Sequence, residues 1–334
     1  MRIVQIVPRS DPGGGVSGYA AALAGGLARC CGIESDLVAA GSSLDVGRLD
    51  ASACLLHYVN YAYHPRGCPA RLVGELCRWR QGASGPGERR LVTFFHEVYA
   101  TGPIWRSSFW LSPVQRRLAA ALARGSDRVA TSLDLYGRML ARFQPRGEVV
   151  VTPVLSTVGE PETVPPLAER PPRMLVFGGT GVRGRAYGPA REALAAACHA
   201  LDIEEILDLG PAREVPAAVD GTPVRALGPL PAAEVSARML GARAGFLVYP
   251  PGFLPKSTVF AAYCAHGLLP VRAGSRRPGG SEAPDPPHWA PAPTSPPTKE
   301  LQALASAARS WYLQHSIERQ AESFRDLLVA GGRP

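Results

Sequence analysis

Short apolar runs alternate with helical patterns along most of the chain. RIVQIV (residues 2–7) opens it as a strand, a Gly-rich turn follows, and an Ala/Leu helix is expected from about Ser17 to Cys30. Gly32 stops that helix, and IESDLVAA supplies the next strand. ACLLHY, Leu91–Phe95, RVATS and Glu148–Val154 read as further strands, separated by helices at about Pro69–Arg80, Ser112–Arg124 and LDLYGRMLARF. The aperiodic, Pro-rich stretch Ser156–Arg173 reads as a linker. The alternation restarts with MLVFGG and runs through a helix at about Pro189–Leu201, the strands IEEILDLG and PVRALG and the helix PAAEVSARML. Next come a strand Ala244–Tyr249, a helix Lys256–His266 stopped by Gly267, and another short strand. Residues 276–297 read as an irregular loop, and one last helix is expected from Lys299 to Ala330. Alternating strands and helices in two blocks predict two α/β halves, each built on a parallel sheet.

Composition agrees with that picture. The 334 residues suffice for two domains, and 46% hydrophobic with 19% charged content describes a globular chain. The net charge of +8 comes from scattered arginines without a long basic run. That pattern argues against a nucleic-acid tail, and leaves room for an anionic substrate or peripheral contact with an anionic membrane face. Seven cysteines, odd in number and without CxxC spacing, are expected to be reduced, hence a cytoplasmic protein. The opening MRIVQIV has no secretory pattern, and no apolar run is long enough to span a bilayer. No Asp-x-Asp pair occurs, so neither a metal nor another cofactor is expected.

The chemistry concentrates where strands end. Lys256, Ser257 and Thr258 open the helix after the strand Ala244–Tyr249, placing a cation, two hydroxyls and free amides at the positive pole of a helix. Lys256 is one of only two lysines, the other being Lys299. Gly14 and Gly15 precede the first helix, where a missing Cβ lets a phosphate approach the backbone. Gly13, Gly15 and Gly18 also fit a dinucleotide fingerprint, with Glu34 or Asp36 as its acidic partner. The strand Leu91–Phe95 delivers His96 and Glu97 to its carboxyl end as candidate catalytic groups. Tyr58, Asn60, Tyr61 and Arg66, with Trp105 and Arg106 further on, are polar and aromatic groups suited to stacking on a ligand and hydrogen-bonding it. His57, His199 and His266 read as structural.

Taken in this order, the stretches resemble the family 4 glycosyltransferases. The PGGG turn, FFHE at the end of a strand, VFGG at Val176–Gly179, LGPLPAAEVSARMLGARAGFLVYP and AAYCAHGLLPV carry the resemblance, which covers nearly the whole chain. It implies the GT-B fold: two Rossmann-like domains facing across a cleft (residues 1–160 and 173–315), with a C-terminal helix at 316–334 crossing back to the first. It implies transfer of a sugar from a nucleotide-diphosphate donor, with retention and without a metal, to a carbohydrate, lipid-linked or small-molecule acceptor. Gly14, Gly15, Arg183, Arg185, Lys256, Ser257 and Thr258 would then bind the diphosphate, His96 and Glu97 would serve catalysis, and Tyr58, Asn60, Tyr61, Arg66, Trp105 and Arg106 would contact the sugar or the acceptor.

The sequence departs from the family at the donor site. Leu254 and Ala262 stand where the family carries paired glutamates, and Thr180 stands where it carries an arginine. A GT-B-like protein that binds without catalysing is therefore the second reading, and a Rossmann NAD(P)-dependent oxidoreductase or epimerase the third. No lysine lies four residues after a tyrosine, as the third would need.

Overall fold

A computed structural model describes residues 1–9, 14–46, 49, 51–82, 89–100, 107–250, 252–273, 285–291 and 296–329, with backbone alone at 107–109. The chain forms two compact units, residues 1–153 with 317–334, and residues 154–316.

The first unit runs β1 (Arg2–Pro8), α1 (Gly15–Cys31), β2 (Glu34–Ala40), β3 (Ala53–Tyr58), α2 (Asn60–Tyr63), α3 (Ala70–Gln81), β4 (Arg90–Phe95), α4 (Ser107–Gly125), β5 (Arg128–Thr131), α5 (Asp134–Ala141) and β6 (Val149–Val151). Its strands pair in the order β2-β1-β3-β4-β5-β6, every pair parallel. All six residues of β3 are buried, as expected of a strand covered on both faces. Val4, Ile6, Leu56, Leu76, Phe95, Leu122 and Leu140 form part of its core.

The second unit runs β7 (Arg173–Phe177), α6 (Thr180–Tyr187), α7 (Arg191–Ala200), β8 (Glu205–Leu209), β9 (Ala218–Val219), β10 (Thr222–Gly228), α8 (Ala232–Leu240), β11 (Ala244–Val248), α9 (Thr258–Ala265), β12 (Leu269–Ala273) and α10 (Thr298–Leu313). The order is β12-β11-β7-β8-β10-β9, parallel except for the β10/β9 pair. Met174, Val176, Leu194, Ile206, Phe246 and Val271 contribute to its core. Helix α11 (Ile317–Leu328) then packs in the first unit.

Three segments differ from the sequence reading. Residues 180–187 form a helix although TGVRGRAY has no apolar period; its inward side is Arg183, Ala186 and Tyr187, and an arginine does not register as a core residue. The single helix expected over 299–330 is two. Gln314 and His315 close α10 by donating to the carbonyls of Trp311 and Tyr312. The buried side of α10 (Leu301, Ala305, Ala308, Tyr312) serves one unit, and that of α11 (Ala321, Phe324, Leu328) serves the other. The Pro-rich stretch 156–173 is tied down. The Ser156 amide donates to the Tyr312 hydroxyl (2.8 Å), and the Leu167 amide to Gln302 Oε1 (2.7 Å). Buried Arg170 donates to the carbonyls of Pro165 (2.9 Å), Ala242 (3.1 Å) and His266 (2.9 Å), and burial pulls its guanidinium down to about 10. Arg309 donates to the carbonyls of Ala265, Pro161 and Glu162.

Among the described residues no helix is long and apolar enough to cross a membrane. All seven cysteines are free, and Cys54, Cys198 and Cys264 are buried.

Helices α1 and α11 meet at Gly26, where an added Cβ would lie 2.6 Å from Ile317 Cγ2 and 3.3 Å from the Ile317 carbonyl oxygen. Gly26→Ala should lower stability by about 1–3 kcal/mol, as overpacking does. Hydrogen exchange should then quicken across residues 317–328 before the central strands.

Candidate functional site

In open parallel sheets, ligands bind beyond the carboxyl ends of the strands where the strand order reverses. Here the reversals fall between β1 and β3 in the first unit and between β7 and β11 in the second. Helix α1 follows β1, α6 follows β7 and α9 follows β11, so three helix amino-termini lie at these points. None has an acidic residue in its first turn, whereas α5, α7, α8, α10 and α11 each have one. An acid there would answer the positive pole of the helix; its absence leaves that pole for another anion.

In the first unit, Gly14 is the N-cap of α1 and has no side chain to bond the first-turn amides. His96 follows β4, its amide donating to the Tyr58 carbonyl (3.0 Å). Its buried imidazole belongs to a polar chain. Gln5 Nε2 donates to Ser35 Oγ (3.1 Å), which turns Gln5 Oε1 toward His57 Nε2 (2.8 Å). His57 therefore carries its proton on Nε2 and accepts at Nδ1, and His96 Nε2, 3.2 Å away, is the donor. Neutral His96 is thereby fixed with its acceptor lone pair on Nδ1. Burial depresses His57 to about 3, so it stays a neutral acceptor. Tyr19 and Phe94 pack edge-on against the His96 ring at 5.3 and 4.5 Å between centroids. Glu97 is half-buried; burial first and then the Glu97 charge push the Tyr136 hydroxyl up.

The expected acceptor contacts divide. Tyr58 is wholly buried, packed on Phe95 (5.2 Å) and Tyr63 (6.5 Å), so its side chain is a core group and cannot meet a ligand. Asn60 is buried, and its Oδ1 accepts from the Tyr61 amide (2.9 Å). Tyr61 and Arg66 are exposed. Buried Gln115 of α4, which the sequence reading passed over, donates to the Tyr61 hydroxyl (3.0 Å) and the Arg66 carbonyl (3.2 Å) and accepts from the Ala100 amide (3.0 Å). It presses so closely on Gly67 (φ +66°) that an added Cβ would sit 2.6 Å from its Nε2. Trp105 and Arg106 lie outside the described residues.

In the second unit, Gly178 between β7 and α6 packs on Val259 of α9, a Cβ on Gly178 falling 3.1 Å from Val259 Cγ2. The amino-terminal turns of α6 and α9 therefore lie together. Lys256 and Thr258 are half-buried at that junction. Ser257 is the N-cap of α9, its Oγ accepting from the Phe260 amide (3.2 Å), so its oxygen serves the helix first. Arg183 is corrected. It is 1% exposed, ion-paired with equally buried Asp208, and donates to the carbonyls of Gly178 (3.0 Å) and Pro211. It binds the turn between β7 and α6 to the end of β8 and has no surface to offer a phosphate. Gly210 makes that closeness possible, since a Cβ there would lie 2.2 Å from the Gly178 oxygen. Arg185 is exposed but falls in the last turn of α6, about 7 Å along the axis from its first. The cation against the first turn is Arg213, which donates to the Thr180 carbonyl (2.5 Å). No local pattern pointed to it.

The two family glutamate positions are closed. Leu254 and Ala262 are fully buried, and every residue of α9 from Val259 to Ala265 is buried. Beside Ala262, the Tyr263 hydroxyl accepts from the Phe177 amide (3.1 Å) between β7 and β11. Among the described residues, no group of three His, Cys, Asp or Glu side chains converges as a metal site would require.

No family model matches the sequence, and no curated protein matches it either. Solved structures do. An alpha-glucosyltransferase in complex with UDP aligns over 98% of this chain and 99% of its own at a TM-score of 0.62 and 12% identity. Sucrose-phosphate synthase from Thermosynechococcus elongatus aligns over 98% of each chain at 0.61 and 13%. HepE of Anabaena in complex with UDP-glucose aligns over 98% of this chain and all of its own at 0.58 and 12%. The chain has the GT-B fold shared by these proteins.

Two measurements check this geometry. Burial lowers His57 to about 3 and His266 and His315 to about 4 from their ordinary 6.5. Below pH 6.5 the unfolded chain thus binds protons that the folded one refuses. Stability should fall as pH drops from 7 toward 4, by roughly 1 kcal/mol per pH unit for each histidine. Urea unfolding across that range should show the slope, and His57→Gln should reduce it. Ala262→Glu should cost more than about 2 kcal/mol through its buried carboxylate and gain no sugar affinity.

Proposed function

We propose that the protein is a glycosyltransferase that takes a sugar from a nucleotide-diphosphate donor without a metal or other cofactor. The observation that carries this reading is the junction of α6 and α9, where two helix amino-termini with no acid in their first turns meet beside Lys256, with Arg213 on the first turn of α6. As the bond from the anomeric carbon to the diphosphate oxygen breaks, its electron pair leaves with the diphosphate. Fixed amides and cations lower the energy of that charge without needing to reorganise. The acceptor oxygen bonds to the anomeric carbon, and its proton passes to a carboxylate, the role assigned to Glu97. His96, its tautomer set by His57, orients a hydroxyl of donor or acceptor. Retention of configuration follows from the family resemblance. UDP-sugars are the first donors to test, since the alpha-glucosyltransferase and HepE were solved with UDP and UDP-glucose.

Burial of Leu254 and Ala262 favours a second reading, a protein that binds a nucleotide sugar and turns it over slowly or not at all. Calorimetry with UDP and other nucleoside diphosphates, with hydrolysis and transfer assays on the same sample, separates the two. Lys256→Ala should weaken diphosphate binding about 5- to 100-fold, as loss of a charged hydrogen bond does. His96→Ala should keep binding and lower turnover about 100-fold. A chelator should leave turnover unchanged. Undiminished affinity in the Lys256 variant removes the diphosphate assignment; binding without turnover for any acceptor class leaves the second reading.

A further inference from the structure

Helix α4 of the first unit borders a groove that the donor chemistry does not use. Its inward side is Gln115, Ala119, Leu122 and Ala123, all fully buried. Trp110, Arg117 and Arg124 follow one another at seven-residue steps, about two turns each, so they share the outward side over about 21 Å of axis. The groove holds about 800 Å³ and lies between this side and Arg142 and Phe143, just past α5. Phe143 is buried in its floor, and Trp110 stands 68% exposed at its rim. The lining includes Arg116, Arg117, Arg124 and Arg142 and no acidic residue. Among the described residues none of these four arginines is paired with a carboxylate. Only Arg124 sits where a cation would serve the helix's own carboxyl end. Ser112 Oγ donates to the Ala100 carbonyl (2.7 Å), which brings Tyr99, two residues from Glu97, to the amino-terminal end of the groove. Burial first and then the Glu97 charge raise the Tyr136 hydroxyl of α5, so that carboxylate lies toward the same helix.

We propose that this groove holds the chain of an acidic polysaccharide acceptor, leading away from the sugar that reacts beside Glu97; the proposal rests on the transfer reading above. Such a chain meets the lining on both counts. Each ring has a flat C–H face that packs on an indole and hydroxyls within reach of its N–H. Each acid group takes a guanidinium fork, which arginine offers and lysine does not. Contacts that are weak singly add along one chain, because after the first is made the next is intramolecular. A small anion would occupy one arginine and leave Trp110 in water. A nucleic acid binds single-stranded through a series of stacking rings, whereas Trp110 is the one exposed ring among the lining residues.

The test is calorimetry of the full chain with oligogalacturonate, dextran sulfate, neutral dextran and a single-stranded DNA oligonucleotide of matched charge. The two acidic glycans should bind, the tighter of them identifying the acid group, and added salt should weaken both. Neutral dextran should bind at least about tenfold more weakly, and monomeric galacturonate about a hundredfold more weakly than its oligomer. Arg117→Glu with Arg124→Glu should lower glycan affinity at least about tenfold. Trp110→Ser should lower it severalfold and leave the salt dependence in place. These positions are exposed, so both variants should keep the parent melting temperature, and the parent affinity for UDP. Unchanged glycan affinity in either variant, or equal affinity for the oligonucleotide, overturns the proposal. Absence of glycan binding overturns it whether or not UDP binds. Absence of UDP binding with glycan binding intact counts against the transfer reading and not against the groove.

Discussion

A parallel strand obliges the helix that follows it to begin at the sheet's carboxyl edge, and much of this molecule's chemistry derives from that obligation. Where the strand order reverses, neighbouring helices leave on opposite faces and open a crevice between their first turns. In both units the glycines and polar residues gather there: Gly14 before α1, Gly178 and Gly179 before α6, Lys256 and Ser257 before α9. The amino-terminal amides are left open because no preceding turn supplies their acceptors.

The edge of the second unit is held by a charge pair with no view of solvent. Arg183 and Asp208 are each about 1% exposed, and the guanidinium also holds the carbonyls on either side of the crevice wall. A buried pair of this kind adds little net stability over an apolar pair, yet removing one partner strands the other. Its contribution is register: the β7–α6 turn can close on β8 only with glycine at position 210. Arg183 therefore has no surface left for a ligand at this edge, and the proposed diphosphate contacts are groups beside the pair.

Some of this was legible in the residues. Two α/β halves followed from alternating apolar and helical patterns, the GT-B arrangement was what the family resemblance implied, and α9 with Lys256 and Ser257 at its head could be placed from a strand, prolines and a stop glycine. His96 was placed at the end of β4 because the β-branched and aromatic run Leu91–Phe95 precedes it. Burial of Arg183 was not legible, since its partner lies 25 residues away and nothing local marks an arginine as inward-facing. Tyr58 misled for the opposite reason: polar aromatic neighbours suggested a ligand surface where the ring completes a core. Arg213 and Gln115 act across the fold from loops and helix faces without a motif. The break between α10 and α11 answers to which core each helix serves, a property of packing that helical periodicity does not encode.

Arg170 and Arg309 have a consequence for α9 that reaches its far end. Both place a guanidinium on carbonyls at its carboxyl terminus, at His266 and at Ala265. A helix whose negative pole is neutralised no longer acts on its surroundings as a pair of opposed partial charges. Seen from Lys256, about 12 Å along the axis, it is closer to a single positive centre. The pull of such a centre weakens only with the inverse of distance, where that of a bare dipole fades faster, so an approaching anion feels it sooner.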